Sequence, residues 1–153
     1  MPITLGQELQ AWKDQLVDNL ERIDNSLKRL AALPQGGTAV GTGINSHKDF
    51  AAEFSKALTS NSTFVFKPMK NLFVGLASQD SAVEMSGQLK TLAVSLMKIS
   101  NDLCCMNSGP LAGLGEIALP ALQPGSSIMP GKVNPSTPPD VAVGCSRVIV
   151  HDT

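Results

Sequence analysis

What this 153-residue sequence lacks narrows its role before any motif is considered. It has no basic run, and twelve Lys and Arg against thirteen Asp and Glu leave a net charge of -1, which gives no electrostatic footprint for nucleic acid or an anionic membrane. It has no leading apolar segment of signal-peptide form and no apolar stretch long enough to span a bilayer. The expectation is therefore a soluble, cytoplasmic protein with neither a membrane nor a nucleic-acid partner. Cysteine is scarce and odd in number: Cys104, Cys105 and Cys145 fit neither a zinc spacing nor a disulfide framework and read as reduced, mostly buried thiols. No metal site and no cofactor is expected. Internal repeats and low-complexity segments are also missing, and the length suits about one domain able to bury a core.

What is present is mostly helical patterning. From Gln7 to Leu33, apolar residues recur at Leu9, Trp12, Leu16, Leu20, Ile23, Leu27, Leu30 and Leu33, in the steps of three and four that draw one stripe along a helix. Pro34 ends it. The glycine-rich run Gly36 to Asn45 either cradles a carboxylate with backbone N–H groups or lets a loop pack tightly between helices, and the residues alone favour packing. Ser46 reads as the N-cap of a short helix with Asp49 completing a weak capping box and Phe50, Phe54 and Leu58 on its buried side. Thr59 to Asn71 reads as a connector held down by its aromatics. A second long helix is expected from about Ser78 to Met106. A final helix is expected from Thr137 toward Val150, with Pro138 and Pro139 in its first turn.

Between the last two helices lies the stretch with the chemistry. Gly125-Ser126-Ser127-Ile128-Met129-Pro130-Gly131-Lys132-Val133-Asn134-Pro135 combines hydroxyls, an amide and one cation in a run of low helix and strand propensity. Such a loop either closes over a small anion or is a polar surface turn.

This run resembles the signature loop of the fumarase/aspartase superfamily at all eleven positions. Gly36 to Asn45 and Met1 to Glu8 are also similar to class II fumarases, in the same order and spacing. Gly131 before Lys132, and Gly113-Leu114-Gly115-Glu116-Ile117, resemble fumarase rather than aspartase. The resemblance implies an all-α fold, with residues 1–153 forming part of a central helical domain and the signature loop at 125–135. It implies a lyase that reversibly hydrates fumarate to L-malate without a cofactor. Ser126 would be the catalytic base, and Ser127, Lys132, Val133 and Asn134 would contact the substrate. The implied partners are a small dicarboxylate, fumarate or L-malate, and further copies of the chain, a homotetramer in the family. An aspartase-like ammonia-lyase is the alternative within this fold; a truncated, non-catalytic remnant that only packs with homologues is the alternative outside catalysis.

Two departures bear on activity. The family's catalytic histidine lies a few residues upstream of the segment matched by Met1, and its threonine-asparagine-serine loops lie further upstream; His47 and His151 match neither. Pro139 stands where the family carries a glutamate, with Asp140 one residue late, about 100° further around a helix. The chain by itself is expected to be inactive.

Overall fold

In the computed structural model the described residues are 1–109, 111–124, 128, 133–134 and 137–152, with backbone alone at 123–124 and 133–134. They form an all-α chain of five helices: α1 (Leu5–Leu30), α2 (Phe50–Ser60), α3 (Leu72–Ala77), α4 (Asp80–Met106) and α5 (Thr137–His151). Two very short ladders accompany them. β1 (Ala32–Leu33) pairs in parallel with β2 (Lys67–Pro68), and β3 (Gln123–Pro124) pairs antiparallel with β4 (Val133–Asn134). Among the described residues, no helix is long and apolar enough to cross a membrane. The chain divides into two compact units, Met1–Asn19 with Leu89–Thr153, and Leu20–Gln88.

In the first unit, α1 starts with a reciprocal cap that the apolar pattern does not reveal. The Thr4 amide donates to Gln7 Oε1 at 2.9 Å and the Gln7 amide donates to Thr4 Oγ1 at 3.3 Å. The Gln7 amide also reaches the Thr4 carbonyl at 3.0 Å, so the side-chain bonds reinforce a turn that the backbone closes. The start of α1 packs antiparallel to the later part of α4. Among the described residues Trp12, Ala93, Pro138 and Cys145 are buried apolar residues, and Asn19, Ser95 and Ser100 are buried with them. Asn19 Nδ2 donates to Ser95 Oγ at 2.8 Å, and Gln15 Nε2 donates to the same oxygen at 3.2 Å. The end of α5 is tied to α4 by Lys90 and Asp152 at 3.2 Å. The thiols differ from expectation: Cys145 is buried, but Cys105 is exposed and Cys104 half-buried, because the last turns of α4 are only partly covered.

In the second unit, α1 stops at Leu30 instead of running to Leu33. Leu33 precedes Pro34, whose ring disfavours the helical region for its neighbour, and the extended pair Ala32–Leu33 joins β2 instead. The Lys67 amide donates to the Ala31 carbonyl at 3.1 Å and the Met69 amide to the Leu33 carbonyl at 2.8 Å. The next helix begins at Phe50 with Asp49 at the cap position, three residues later than a Ser46 cap would place it. The Ser46 amide closes a turn onto the Gly43 carbonyl after Asn45 takes a positive φ of 62°, and Asp49 at the helix start makes no side-chain cap bond. The connector is held by hydroxyls rather than aromatics. Thr59 Oγ1 accepts from the Phe66 amide at 2.9 Å and Ser62 Oγ from the Phe64 amide at 3.2 Å, while Phe64 and Val65 are exposed. α3 was outside every periodic segment. Its Asn71 cap, which accepts from the Phe73 amide at 3.0 Å, was the available signal.

The glycine run packs as the residues alone indicate. A Cβ on Gly37 would lie 2.7 Å from Leu76 Cδ1, and one on Gly41, whose φ is +109°, would lie 2.8 Å from Phe73. The loop approaches α3 more closely than any side chain permits.

Candidate functional site

The segment leading to the candidate loop is fastened to the end of α4. The Asn107 side chain accepts from the Leu119 amide at 2.7 Å, and the Glu116 amide donates to the Met106 carbonyl at 2.8 Å. Gly109 and Gly115 take φ of 52° and 59°, and a Cβ on Gly113 would fall 2.1 Å from the Ser108 carbonyl oxygen. Glycine is required there for the chain to fold back on itself. From this anchor the chain enters β3. The antiparallel register sets Gln123 opposite Asn134 and Pro124 opposite Val133. Val133 and Asn134 are therefore held by backbone pairing to Pro124 and Gln123. Ser126, Ser127 and Lys132 lie outside the described residues, as do Gly125, Met129, Pro130, Gly131 and Pro135. Ile128 is exposed.

α5 begins at Thr137, directly after the loop. Its first turn includes Pro138, which is buried, and Pro139, which is exposed; neither has an N–H to offer an anion. Asp140 occupies the same turn, where the positive end of the helix favours a carboxylate.

A cavity of about 570 Å³ lies in the same unit. Thr4, Leu5 and Glu8 line it from the start of the chain, Lys98 and Asp102 from α4, and Glu116 from the segment that leads to the loop. Two of the stretches singled out in the sequence, Met1 to Glu8 and Gly113 to Ile117, thus share one cavity. The polar residues that line it carried no periodic signal, although the Lys98-x-x-x-Asp102 spacing is that of a helical ion pair. Lys98 Nζ lies 2.5 Å from Asp102 Oδ2 and 3.4 Å from Glu8 Oε1, and 5.7 Å above the Trp12 ring. The hydrogen bond to Asp102, with the charges of Asp102 and Glu8 adding to it, holds the Lys98 ammonium above its ordinary pKa against the opposing effect of desolvation. With both carboxylates on it, this ammonium is committed to structure and has little field left for an anionic ligand.

Both histidines have local roles. His47 Nδ1 accepts from the Asp49 amide at 3.3 Å on an exposed turn, and His151 Nε2 accepts from Arg147 Nε at 3.4 Å, one turn back along α5. Among the described residues, no group of three His, Cys, Asp or Glu side chains is placed to hold a metal ion.

Residues 1–150 match the model of a family described as lyase. The chain belongs to the lyase family. Within the family it is 57% identical, over all 153 residues, to a class II fumarate hydratase of Xylella fastidiosa, of which it covers 32%. It is 55% identical over 152 residues to a class II fumarate hydratase of Pseudomonas aeruginosa, covering 33% of it. A solved class II fumarase from Schistosoma mansoni superposes with a TM-score of 0.95 at 38% identity, over 99% of this chain and 35% of that one. The chain thus spans about a third of the length of the lyases it matches.

Proposed function

We propose that this chain is the signature-loop segment of a class II fumarate hydratase, part of the central helical domain over residues 1–153, and that it serves the hydration of fumarate to L-malate within a larger cytoplasmic assembly, a homotetramer. The observation that carries the reading is the likeness to named hydratases along the whole chain, at 57% and 55% identity. Those names favour water over ammonia as the added group. In this reading Ser126 is the base that removes the proton beside a carboxylate in the reverse direction. That step places additional negative charge on the carboxylate, so the site needs cations and N–H donors that tighten as the charge develops. Lys132, Asn134 and the backbone of Ser127 and Val133 are suited to that clamp. A serine hydroxyl works as a base only where its anion is stabilised, and Lys132 in the same run is suited to supply that field. The β3–β4 pairing supports the reading because it brings the two flanks of the run, Gln123–Pro124 and Val133–Asn134, together through the backbone.

The test is fumarate hydration followed by absorbance, for the chain alone and mixed with a full-length class II fumarase carrying a disabled signature serine. Activity is expected only in the mixture, and Ser126→Ala in this chain should abolish it. Lys132→Met should chiefly raise KM. Restored activity that survives Ser126→Ala would refute the assignment of the base.

A further inference from the structure

A second cavity, of about 470 Å³, lies within the Leu20–Gln88 unit and has a different character from the first. Its walls carry four cations, Lys28, Arg29, Lys67 and Lys70, and no Asp or Glu is among its described lining residues. Two of the four are explained by the helix they sit on, because Lys28 and Arg29 occupy the last turn of α1, where the negative end of the helix favours them. Lys67 and Lys70 have no such reason. They are brought there by the parallel pairing of Ala32 with Lys67, and neither makes an ion pair among the described residues. Arg29 is engaged with Glu84 through Nε at 2.6 Å and through Nη2, and among the described residues Lys28 Nζ has the neutral Asn25 Oδ1 at 3.0 Å and no carboxylate. Glu84 therefore balances one cation and leaves three gathered around one space. The end of α1 carries only about half a negative charge, which offsets part of the Lys28 cation and leaves Lys67 and Lys70.

Like charges that line one cavity repel each other, and an anion that joins them relieves the repulsion. The cavity also presents apolar surface from Pro68, Met69 and Val74, and donors from Asn71 and Ser81. We propose that this cavity binds a small organic molecule bearing two or more phosphate groups, with the phosphates on Lys28, Lys67 and Lys70 and its body against Met69 and Val74. Two linked phosphates carry about the charge that the three uncompensated cations need, whereas a single carboxylate does not. The site is separate in sequence from residues 125–135 and does not depend on the hydratase reading.

The experiment titrates the full chain with inorganic pyrophosphate, and separately with adenosine diphosphate, while backbone amide NMR shifts are followed at low salt. Saturable shifts are expected at residues 28–32 and 67–71, with a dissociation constant of about 1 mM or tighter that weakens as salt is added. The exposed double substitution Lys67→Gln/Lys70→Gln should weaken binding by about tenfold, Lys67→Arg/Lys70→Arg should restore it, and Lys132→Met should leave it unchanged. A tighter constant for the nucleotide than for pyrophosphate supports the contribution of Met69 and Val74. Absence of saturation, shifts confined to residues 125–135, or undiminished affinity in the glutamine double variant would each overturn the site.

Discussion

Ser95→Ala is expected to destabilise the chain by about 1–2 kcal/mol, because it removes the acceptor on which two α1 side chains converge. The magnitude follows from what each group is left with. Asn19 is only 2% exposed, so water does not replace the lost oxygen at 2.8 Å from its amide; leaving a buried donor unpaired costs about 1–3 kcal/mol. Asn19 has a further interaction, which keeps the cost below that upper value. Gln15 is exposed and re-solvates at little cost, and the Thr91 carbonyl that Ser95 Oγ also reaches, at 3.2 Å, belongs to the α4 helix ladder. Urea unfolding followed by circular dichroism should show the midpoint falling by roughly 0.5–1 M with an unchanged slope, given slopes of about 1–3 kcal/mol/M. Asn19→Ala and Ser95→Ala should be non-additive by about 1 kcal/mol in a double-mutant cycle. An unchanged midpoint, or strict additivity, would refute the view that this polar contact sets how α1 meets α4.

Gly41→Ala combines a Cβ 2.8 Å from Phe73 with a φ of +109°, and should lower stability by about 2–4 kcal/mol, read from the thermal midpoint; a shift of less than about 1 °C would show that the loop is free to move off α3. Because the Lys98 pKa is raised in the folded state, its contribution is fully present below the ordinary lysine pKa and is lost as pH rises through the raised value. The alkaline limb of stability against pH should therefore flatten in Lys98→Met, with no change near neutrality in the slope of that curve. Light scattering at micromolar concentration should find oligomers, since Leu9, Leu20, Val83, Leu89 and Val143 are large, apolar and exposed; a monodisperse monomer would count against that expectation.

The helices were legible because their apolar residues recur with helical spacing, and α1, α4 and α5 begin and end within about three residues of where the pattern puts them. Their ends were less so, for reasons that are local and chemical. Leu33 obeys Pro34 and the pairing with Pro68 rather than the apolar stripe, and a two-residue strand has no period to detect. The start of α2 was misplaced because Asn45 takes a left-handed conformation that turns the chain away before Ser46 can cap anything. For the candidate site, residue types in the run from Gly125 to Pro135 were readable, whereas the register that sets Asn134 opposite Gln123 was not. The cavity formed by Glu8, Lys98, Asp102 and Glu116 was also not readable, since it joins residues more than ninety positions apart whose spacing carries no common signal.

The buried set explains why such a frame both specifies its register and needs more surface than it covers. Among the described residues, what is most buried is small or polar: Asn19, Ser26, Ser55, Ala93, Ser95 and Ser100, with Trp12 and Cys145 as the larger exceptions. Small and hydroxyl-bearing side chains let helices approach closely, and a hydrogen bond such as that from Asn19 to Ser95 favours the register in which it forms, because a slip by one turn breaks it. That arrangement fixes geometry but yields little hydrophobic free energy, since burial contributes about 25 cal/mol per Å² of apolar surface and a serine or alanine has little to bury. The leucines and valines that could contribute more are turned outward: Leu20 is 59% exposed, Val83 68% and Val143 71%. Covering those faces is the largest stabilising step still open to helices of 26 and 27 residues. The loop that carries Ser126 and Lys132 is joined to α5, where Val143 and Val150 are exposed, so whatever covers that face also steadies the helix onto which the loop leads.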